Sequence, residues 1–277
     1  ANSLVSAGTE RMLVSFVKQG LLGKARSRPD LIREVLNKAR REGLLTTIEA
    51  ALNKLDQPFA LGYSSAGTII KTGPGLVGFK AGDRVACAGG GYAVHAEYAI
   101  IPQNLMVPIP EPVSFEEAAF ATIGAIAMQG FRLAEVGVGA RVGIIGLGLL
   151  GLLATGIARA AGCQVLGVEL DPARAELALQ VGANKAVNRE QAIEAARSFT
   201  QGDGLDAILI CADTSDNDPL ILAGEIARDR AKVVVVGSVG MEVPRKPYYE
   251  KELELVVSRS YGPGRYDPAY EEKAHDY

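Results

Sequence analysis

A chain of 277 residues is long enough for one large domain or two modest ones, at about 100–200 residues each. Apolar residues make up 48% and charged residues 22%, with 32 Gly and 13 Pro, which excludes a disordered, collagen-like or coiled-coil chain and fits a soluble α/β protein. With 29 basic and 32 acidic side chains the net charge is −3, so no basic excess exists to neutralise nucleic-acid phosphates or anionic lipid. Asn2 to Ala7 suits a short strand, and Thr9-Glu10 followed by Met12, Leu13, Phe16 and Val17 reads as a capped amphipathic turn or helix. A loop through Gly20 and Gly23 precedes Pro29-Asp30, which opens a long helical pattern broken near Gly43 and read as two helices. Between Lys18 and Arg41 eight basic residues face only Asp30 and Glu34, either a docking face or a solvated helix surface.

After Pro58 the texture changes to short β-like runs, Ala66 to Thr72, Arg84 to Ala88, His95 to Ile101 and Leu105 to Val107, which predict a small barrel or sandwich. Ser114 with Glu116 and Glu117 signals a helix start, and a second helix is expected from about Ile123 to Val136. Strands and helices then alternate: Arg141–Ile145, Leu149–Ala161, Gln164–Glu169, Pro172–Val181, Glu190–Ser198, Leu205–Cys211, Pro219–Arg228 and Ala231–Val236, with a further strand at Leu253–Ser258. Such alternation specifies a parallel sheet with helices on both faces, a doubly wound α/β fold. The nearly uncharged run from 142 to 158 is shorter than the ~20 residues of a membrane span and is rich in glycine, so it reads as buried strand plus helix.

Cys87, Cys163 and Cys211 are far apart and lack CxxC spacing, which argues against a disulfide framework or a structural zinc lobe and for a cytoplasmic location. The segment Val142-Gly143-Ile144-Ile145-Gly146-Leu147-Gly148-Leu149-Leu150-Gly151 places GxGxxG directly after an apolar strand and at the mouth of an apolar helix. Gly146 permits the tight turn, Gly148 lets a pyrophosphate approach the backbone, and Gly151 lets helix and strand pack closely, while the free N–H groups of Leu149, Leu150 and Gly151 face the phosphates. The next strand ends at Glu169, 23 residues after Gly146, near the offset expected of an acid that binds ribose hydroxyls. A carboxylate there accepts from a 2′-hydroxyl and repels a 2′-phosphate, so NAD(H) is expected over NADP(H), although Arg174 or Arg159 could receive a phosphate by swinging in. The other reading of Glu169 and Asp171 is an N-cap pair for the helix at Pro172. Ala212, Asp213, Gly237, Ser238 and Val239 end later strands, at the carboxyl edge where such sheets bind ligands; ordinary turn chemistry is the alternative.

The order of parts resembles the medium-chain dehydrogenase/reductase superfamily of zinc alcohol dehydrogenase-like proteins. The matching stretches are Ser6-Ala7-Gly8-Thr9-Glu10, Leu61-Gly62-Tyr63-Ser64-Ser65-Ala66-Gly67, Gly73-Pro74-Gly75, Gly78-Phe79-Lys80-Ala81-Gly82-Asp83-Arg84-Val85, Ala96-Glu97-Tyr98 and the glycine fingerprint. The resemblance implies an incomplete GroES-like β-rich catalytic domain over residues 1–122, a Rossmann domain over 123–262, and a return segment toward the catalytic domain over 263–277. The helical stretch at about 20–58 looks like the insertion of a branch related to bacteriochlorophyllide dehydrogenase and to polypeptides fused to Gfo/Idh/MocA-type oxidoreductases. The family's Cys-Gly-x-Asp falls on Ala7-Gly8-Thr9-Glu10, its Gly-His-Glu on Gly62-Tyr63-Ser64, and its third zinc ligand on or near Ala121. Alanine cannot ligate and Tyr or Ser rarely does, and His95 with Cys87 and Glu97 is the only cluster left, so no zinc and no other metal is expected.

Without a Lewis acid, alkoxide charge must be met by hydrogen-bond donors. The candidates are Thr9, Tyr63 and His95; their structural alternatives are a helix N-cap, a packed aromatic and an exposed strand residue. The related zinc-independent quinone reductases hold substrate over the nicotinamide with no strong acid, so proximity alone could suffice. The expected function is a zinc-independent NAD(P)(H)-dependent oxidoreductase on an alcohol/ketone pair, of a sugar or a larger hydroxyl-bearing molecule. A non-catalytic dinucleotide-binding module of a larger protein and a Rossmann-like methyltransferase are the competing classes. Expected partners are a small-molecule substrate and a second copy through the Rossmann edge strand, or a fused C-terminal oxidoreductase domain; nucleic acid and membrane are not expected. Because both edges of the catalytic domain look incomplete, the chain reads as a piece of a longer enzyme.

Overall fold

Burial on both faces demands continuous apolar strands, and the second half of the chain supplies them. The computed structural model describes residues 1–18 and 60–275. A four-stranded antiparallel sheet has the order β1 (Asn2–Ser3), β2 (Ser64–Thr68), β3 (Arg84–Ala88) and β4 (Met106–Pro108), with helix α1 (Ala7–Lys18) following β1. Two helices lead away from it, α2 (Phe115–Ala118) and α3 (Ala121–Leu133). Ser114 starts α2 as a reciprocal cap: its hydroxyl accepts from Glu117 N–H and the Glu117 carboxylate accepts from Ser114 N–H.

The alternating region then runs β5 (Arg141–Ile145), α4 (Leu149–Ala160), β6 (Gln164–Val168), α5 (Pro172–Val181), β7 (Lys185–Val187), α6 (Ala192–Phe199), β8 (Leu205–Ile210), α7 (Asp218–Ile226), β9 (Ala227–Val235), α8 (Arg245–Glu250) and β10 (Glu254–Val257), with a last short helix α9 (Pro268–Glu271). Its six strands are parallel in the order β10-β9-β8-β5-β6-β7, the doubly wound arrangement in which strand order reverses between β5 and β8. Side chains alternate between two cores. Ile145, Leu166, Ile208, Ile210, Val233 and Val235 join one cluster, while Val142, Ile144, Val165, Leu209 and Val234 join the other.

Several sequence expectations needed correction. His95–Ile101 is not a strand but irregular chain, because His95 is held by side-chain partners rather than a ladder. The β-rich part is an open four-stranded sheet rather than a barrel or sandwich among the described residues, and β2 ends at Thr68. Strand β7 and helix α8 had no sequence signal, being three and six residues long. The helix expected to reach Arg228 stops at Ile226, because Arg228 turns to Asp206 on β8 at 2.8 Å and Lys251 Nζ takes the carbonyls of Gly224, Glu225 and Ala227. The helical segment expected at about 20–58 lies outside the described residues, apart from its approach through α1. Among the described residues no helix is long and apolar enough to cross a membrane.

Candidate active site

The turn between β5 and α4 is built around what a Cβ would strike. Gly146 has φ +89°, and a Cβ there would stand 2.7 Å from the Ala212 backbone, so glycine lets the ends of β5 and β8 meet at the reversal point. At Gly151 a Cβ would land on the Gly146 carbonyl oxygen. Gly148, the residue before α4, differs: nothing lies within 4 Å of its Cβ position, so this side of the turn is open to a ligand. The Leu149, Leu150 and Gly151 N–H groups are in the first turn of α4, where no intrahelical acceptor exists and no side chain caps them. Leu147 is fully buried, and its side chain fills the space left by Gly167 on β6. The loop thereby leaves unpaired helix N–H groups over a rigid floor, an arrangement that suits an anion.

Glu169 does not hang free at the end of β6. Its carboxylate accepts from Leu147 N–H at 2.7 Å through one oxygen, and from Leu170 and Asp171 N–H at 2.8 and 3.1 Å through the other. The acid is thus fixed beside the glycine turn, with lone pairs left for a further donor. The expected N-cap pair divides: Asp171 caps α5 through Ala173 N–H at 2.9 Å, and Glu169 does not. Arg174 is exposed and lies 3.6 Å from Asp171. Arg159 is in the last turn of α4, about 15 Å of helix rise beyond the glycine turn, and packs on Gly182.

At the carboxyl edge, Asp213 and Ser238 form an isolated parallel bridge beyond β8 and β9, and Thr214 N–H donates to Ser238 C=O at 2.8 Å. Gly237 abuts Ala212, whose carbonyl a Cβ would strike. Val239 is half-buried and packs against the first core. Ala212, Asp213, Gly237, Ser238 and Val239 therefore form one ledge over the switch point.

The three candidate proton donors come from separate parts of the chain. Thr9 is exposed in the first turn of α1, but α1 begins at Ala7, so Thr9 is not its N-cap. Its hydroxyl lies 3.5 Å from Ser6 Oγ. Tyr63 is half-buried before β2, and its carbonyl accepts from Gly89 N–H. His95 touches the chain neighbour of each: its ring lies against Gly62, where a Cβ would be 2.9 Å from Nδ1, and its Nε2 is 3.0 Å from buried Glu10 Oε2. Its Nδ1 is 2.8 Å from Ser3 Oγ. Glu10 also accepts from Ser6 N–H at 2.9 Å, so one carboxylate holds both the helix start and the imidazole. A Cβ on Gly8, in the same turn, would lie 3.8 Å from Asp213 Oδ2, which sets this cluster against the ledge.

Sequence reasoning did not single out Ser3 or Glu10. The available signal was the Ser6-to-Glu10 spacing ahead of an apolar helix, a cap pattern whose acid has capacity to spare. Burial, partly opposed by the Ser65 hydroxyl, pushes the Cys87 thiol up to about 11, and burial alone pushes Cys211 up to about 12, so neither offers a thiolate at neutral pH.

An alcohol dehydrogenase GroES-like domain model matches residues 39–111, and a zinc-binding dehydrogenase model matches residues 150–274. The chain is similar to sorbitol dehydrogenase of Bacillus subtilis (strain 168), 28% identical over 249 residues that cover 78% of this chain and 69% of that protein. It is 31% identical to quinone oxidoreductase of Rattus norvegicus over 214 residues, 72% of this chain and 61% of that one. In fold it is similar to galactitol-1-phosphate dehydrogenase from Escherichia coli, with a TM-score of 0.67 and 24% identity over 73% of this chain and 68% of that one. A GroES-like match in the first half and a dehydrogenase match across the parallel sheet agree with the two sheets described above, and the chain belongs to the medium-chain, zinc alcohol dehydrogenase-like superfamily.

Proposed function

We propose that the protein is an NAD(H)-dependent oxidoreductase that interconverts an alcohol and a ketone on a sugar-related substrate without zinc. The observation that carries this reading is the glycine turn with Glu169 fixed beside it: an open cradle at Gly148, uncapped N–H groups, and a carboxylate anchored by Leu147 N–H. A nicotinamide dinucleotide, when bound, accepts or gives the hydride. The Leu149, Leu150 and Gly151 N–H groups bind its pyrophosphate, and Glu169 accepts from the 2′-hydroxyl while repelling a 2′-phosphate. His95 is held by Glu10 through Nε2 and engages the Ser3 hydroxyl through Nδ1, so a proton it holds reaches the substrate oxygen by way of Ser3, with Thr9 and Tyr63 as further donors. Domains at 1–122 and 123–262 with a return segment at 263–277, and a cytoplasmic location, belong to the same reading.

Zinc is left out because the donor set does not fit it. Ala7, Tyr63 and Ala121 stand where the superfamily's pattern has ligands, and among the described residues no three His, Cys, Asp or Glu side chains are grouped to hold a metal. The similarity to sorbitol dehydrogenase supports a polyol or related sugar as substrate.

The test is calorimetric titration with NADH and NADPH, metal analysis of the same sample, and turnover on a polyol panel. Tighter NADH than NADPH binding, no stoichiometric zinc, and turnover reduced about 100-fold or more in His95→Ala are expected. Stoichiometric zinc would overturn the metal-free chemistry. Tight NADH binding without turnover on any polyol or ketose would favour a non-catalytic dinucleotide-binding module.

A further inference from the structure

The loop after β10 combines three features that the hydride-transfer site does not use. The first is a solvent-open cleft of about 350 Å³ between α3 and the loop. It lies where β10 ends, at the carboxyl edge of the parallel sheet. The second is Arg259, an exposed cavity residue whose guanidinium stacks on the Tyr266 ring at 4.6 Å and has no carboxylate within ion-pair distance among the described residues. On the same ring, Arg265 stacks at 3.7 Å, but Arg265 is neutralised by Glu271 at 2.6 Å, and Glu271 also accepts from Tyr261 OH at 2.7 Å. One cation of the pair is therefore spent and the other is not.

The third feature is strain. Ser260 and Tyr266 have φ of +48° and +65°, and Gly262 and Gly264 between them are also positive. A bulky aromatic in this region is uncommon and persists only where its surroundings over-determine it, as the two guanidinium groups do here. The loop is held tightly as well: a Cβ on Gly262 would strike the Gln129 amide, and one on Gly264 the Tyr270 ring.

We propose that this cavity is an oxyanion subsite in which Arg259, backed by Tyr266, binds the carboxylate or phosphate monoester of a hydroxylated ligand. Arg259 supplies a planar two-pronged donor for such a group, and the Gln129 amide at the cavity wall meets hydroxyls. Asp267 also lines the cavity; its carboxylate accepts from Ala269 N–H as the cap of α9, which directs one oxygen away from the incoming anion. If the ligand is the substrate, the subsite rests on the oxidoreductase reading and makes the substrate an acidic or phosphorylated sugar. A free anion would use the same contacts.

The test is calorimetric titration of the whole protein with inorganic phosphate, sorbitol and sorbitol 6-phosphate at constant ionic strength set with chloride, on wild type, Arg259→Gln and Arg259→Lys. Phosphate binding weakened at least tenfold by Arg259→Gln and less by Arg259→Lys is expected, with sorbitol 6-phosphate bound more tightly than phosphate or sorbitol. Phosphate binding lost in Arg259→Gln without any gain for sorbitol 6-phosphate also supports the subsite and assigns it to a free anion. Phosphate binding equal in wild type and Arg259→Gln, or no binding of either phosphate compound to wild type, overturns it. NADH titrated into the same samples reads the glycine turn separately, so failure of the dinucleotide site and failure of this subsite are told apart.

Discussion

The parallel and antiparallel sheets differ in what their residues touch. Strands β5 to β10 feed two large apolar clusters, with Val142, Ile144, Leu166, Ile208, Leu209 and Ile210 fully buried. Among the described residues the clusters beside the antiparallel sheet are small, Ala66, Ala86, Ile109, Ala118 and Ala119 on one side and Val85, Cys87 and Ala93 on the other. Polar ties take over there. Ser64 Oγ donates to Ala119 C=O at 2.6 Å, Thr122 Oγ1 to Cys87 C=O at 3.2 Å, and Arg84 to the carbonyls of Glu111 and Val113 while lying over the Phe115 ring. The Ser3–His95–Glu10 cluster belongs to this half. Hydrophobic burial is non-directional and scales with area, whereas hydrogen bonds are directional and individually worth little net stability. Among the described residues the first half therefore places its candidate side chains through specific contacts, and the second through the mass of its core.

The sharpest way to break this contrast is at the fingerprint. In Gly151→Ala the new methyl meets the Gly146 carbonyl, so the turn must open; NADH affinity is expected to fall at least 100-fold with a stability loss of about 3 kcal/mol, read by calorimetry and thermal unfolding. Next, Leu209→Ala removes a fully buried side chain of the central strands and should cost about 2–5 kcal/mol in urea unfolding, whereas Ile109→Ala, 9% exposed beside the small cluster, should cost distinctly less. Equal losses would mean that both halves depend on packing to the same degree.

Lys251 refines the picture, because it is a polar tie inside the apolar half. Its ammonium donates to three carbonyls at the end of α7, and burial lowers its pKa, with Asp229 and Glu225 opposing. Lys251→Met is expected to lose about 1–2 kcal/mol by chemical denaturation. The smallest effect is expected at Glu271. Burial raises its pKa, but the Tyr261 hydroxyl, the Arg265 guanidinium and Tyr266 N–H outweigh it and leave the carboxyl below its ordinary value. A depressed folded pKa means that this stabilisation is complete above the unfolded value of about 4.3 and disappears as pH falls through the folded one. Wild type should therefore lose stability more steeply than Glu271→Gln between about pH 5 and 3, and parallel curves would refute the assignment.

Much of the second half could be read from the chain. Pro172 behind Asp171, the apolar runs at 141–145 and 205–210, and the glycines at 146, 148 and 151 each carry their structure locally, through a cap, a period or a clash. Less could be read in the first half, where His95–Ile101 has the composition of a strand but lacks a ladder partner. Thr9, Tyr63 and His95 were legible as residues of the right chemistry. The contacts of His95 with Ser3, Glu10 and Gly62 were not, since contacts between residues up to 92 positions apart leave no periodic trace.

The sequence by itself determined the alternating strands and helices of the doubly wound sheet, the glycine turn and the acid beside it, because each depends on residues close along the chain. Only the tertiary structure decided that Glu169 is anchored to Leu147 N–H, that Glu10 orients His95, that α7 yields to β9 at Ala227, and that Arg259 alone of its stacked pair keeps its charge unspent. Those outcomes depend on which distant donor reaches a group first, and that is set by how the elements pack, not by the order in which they are written.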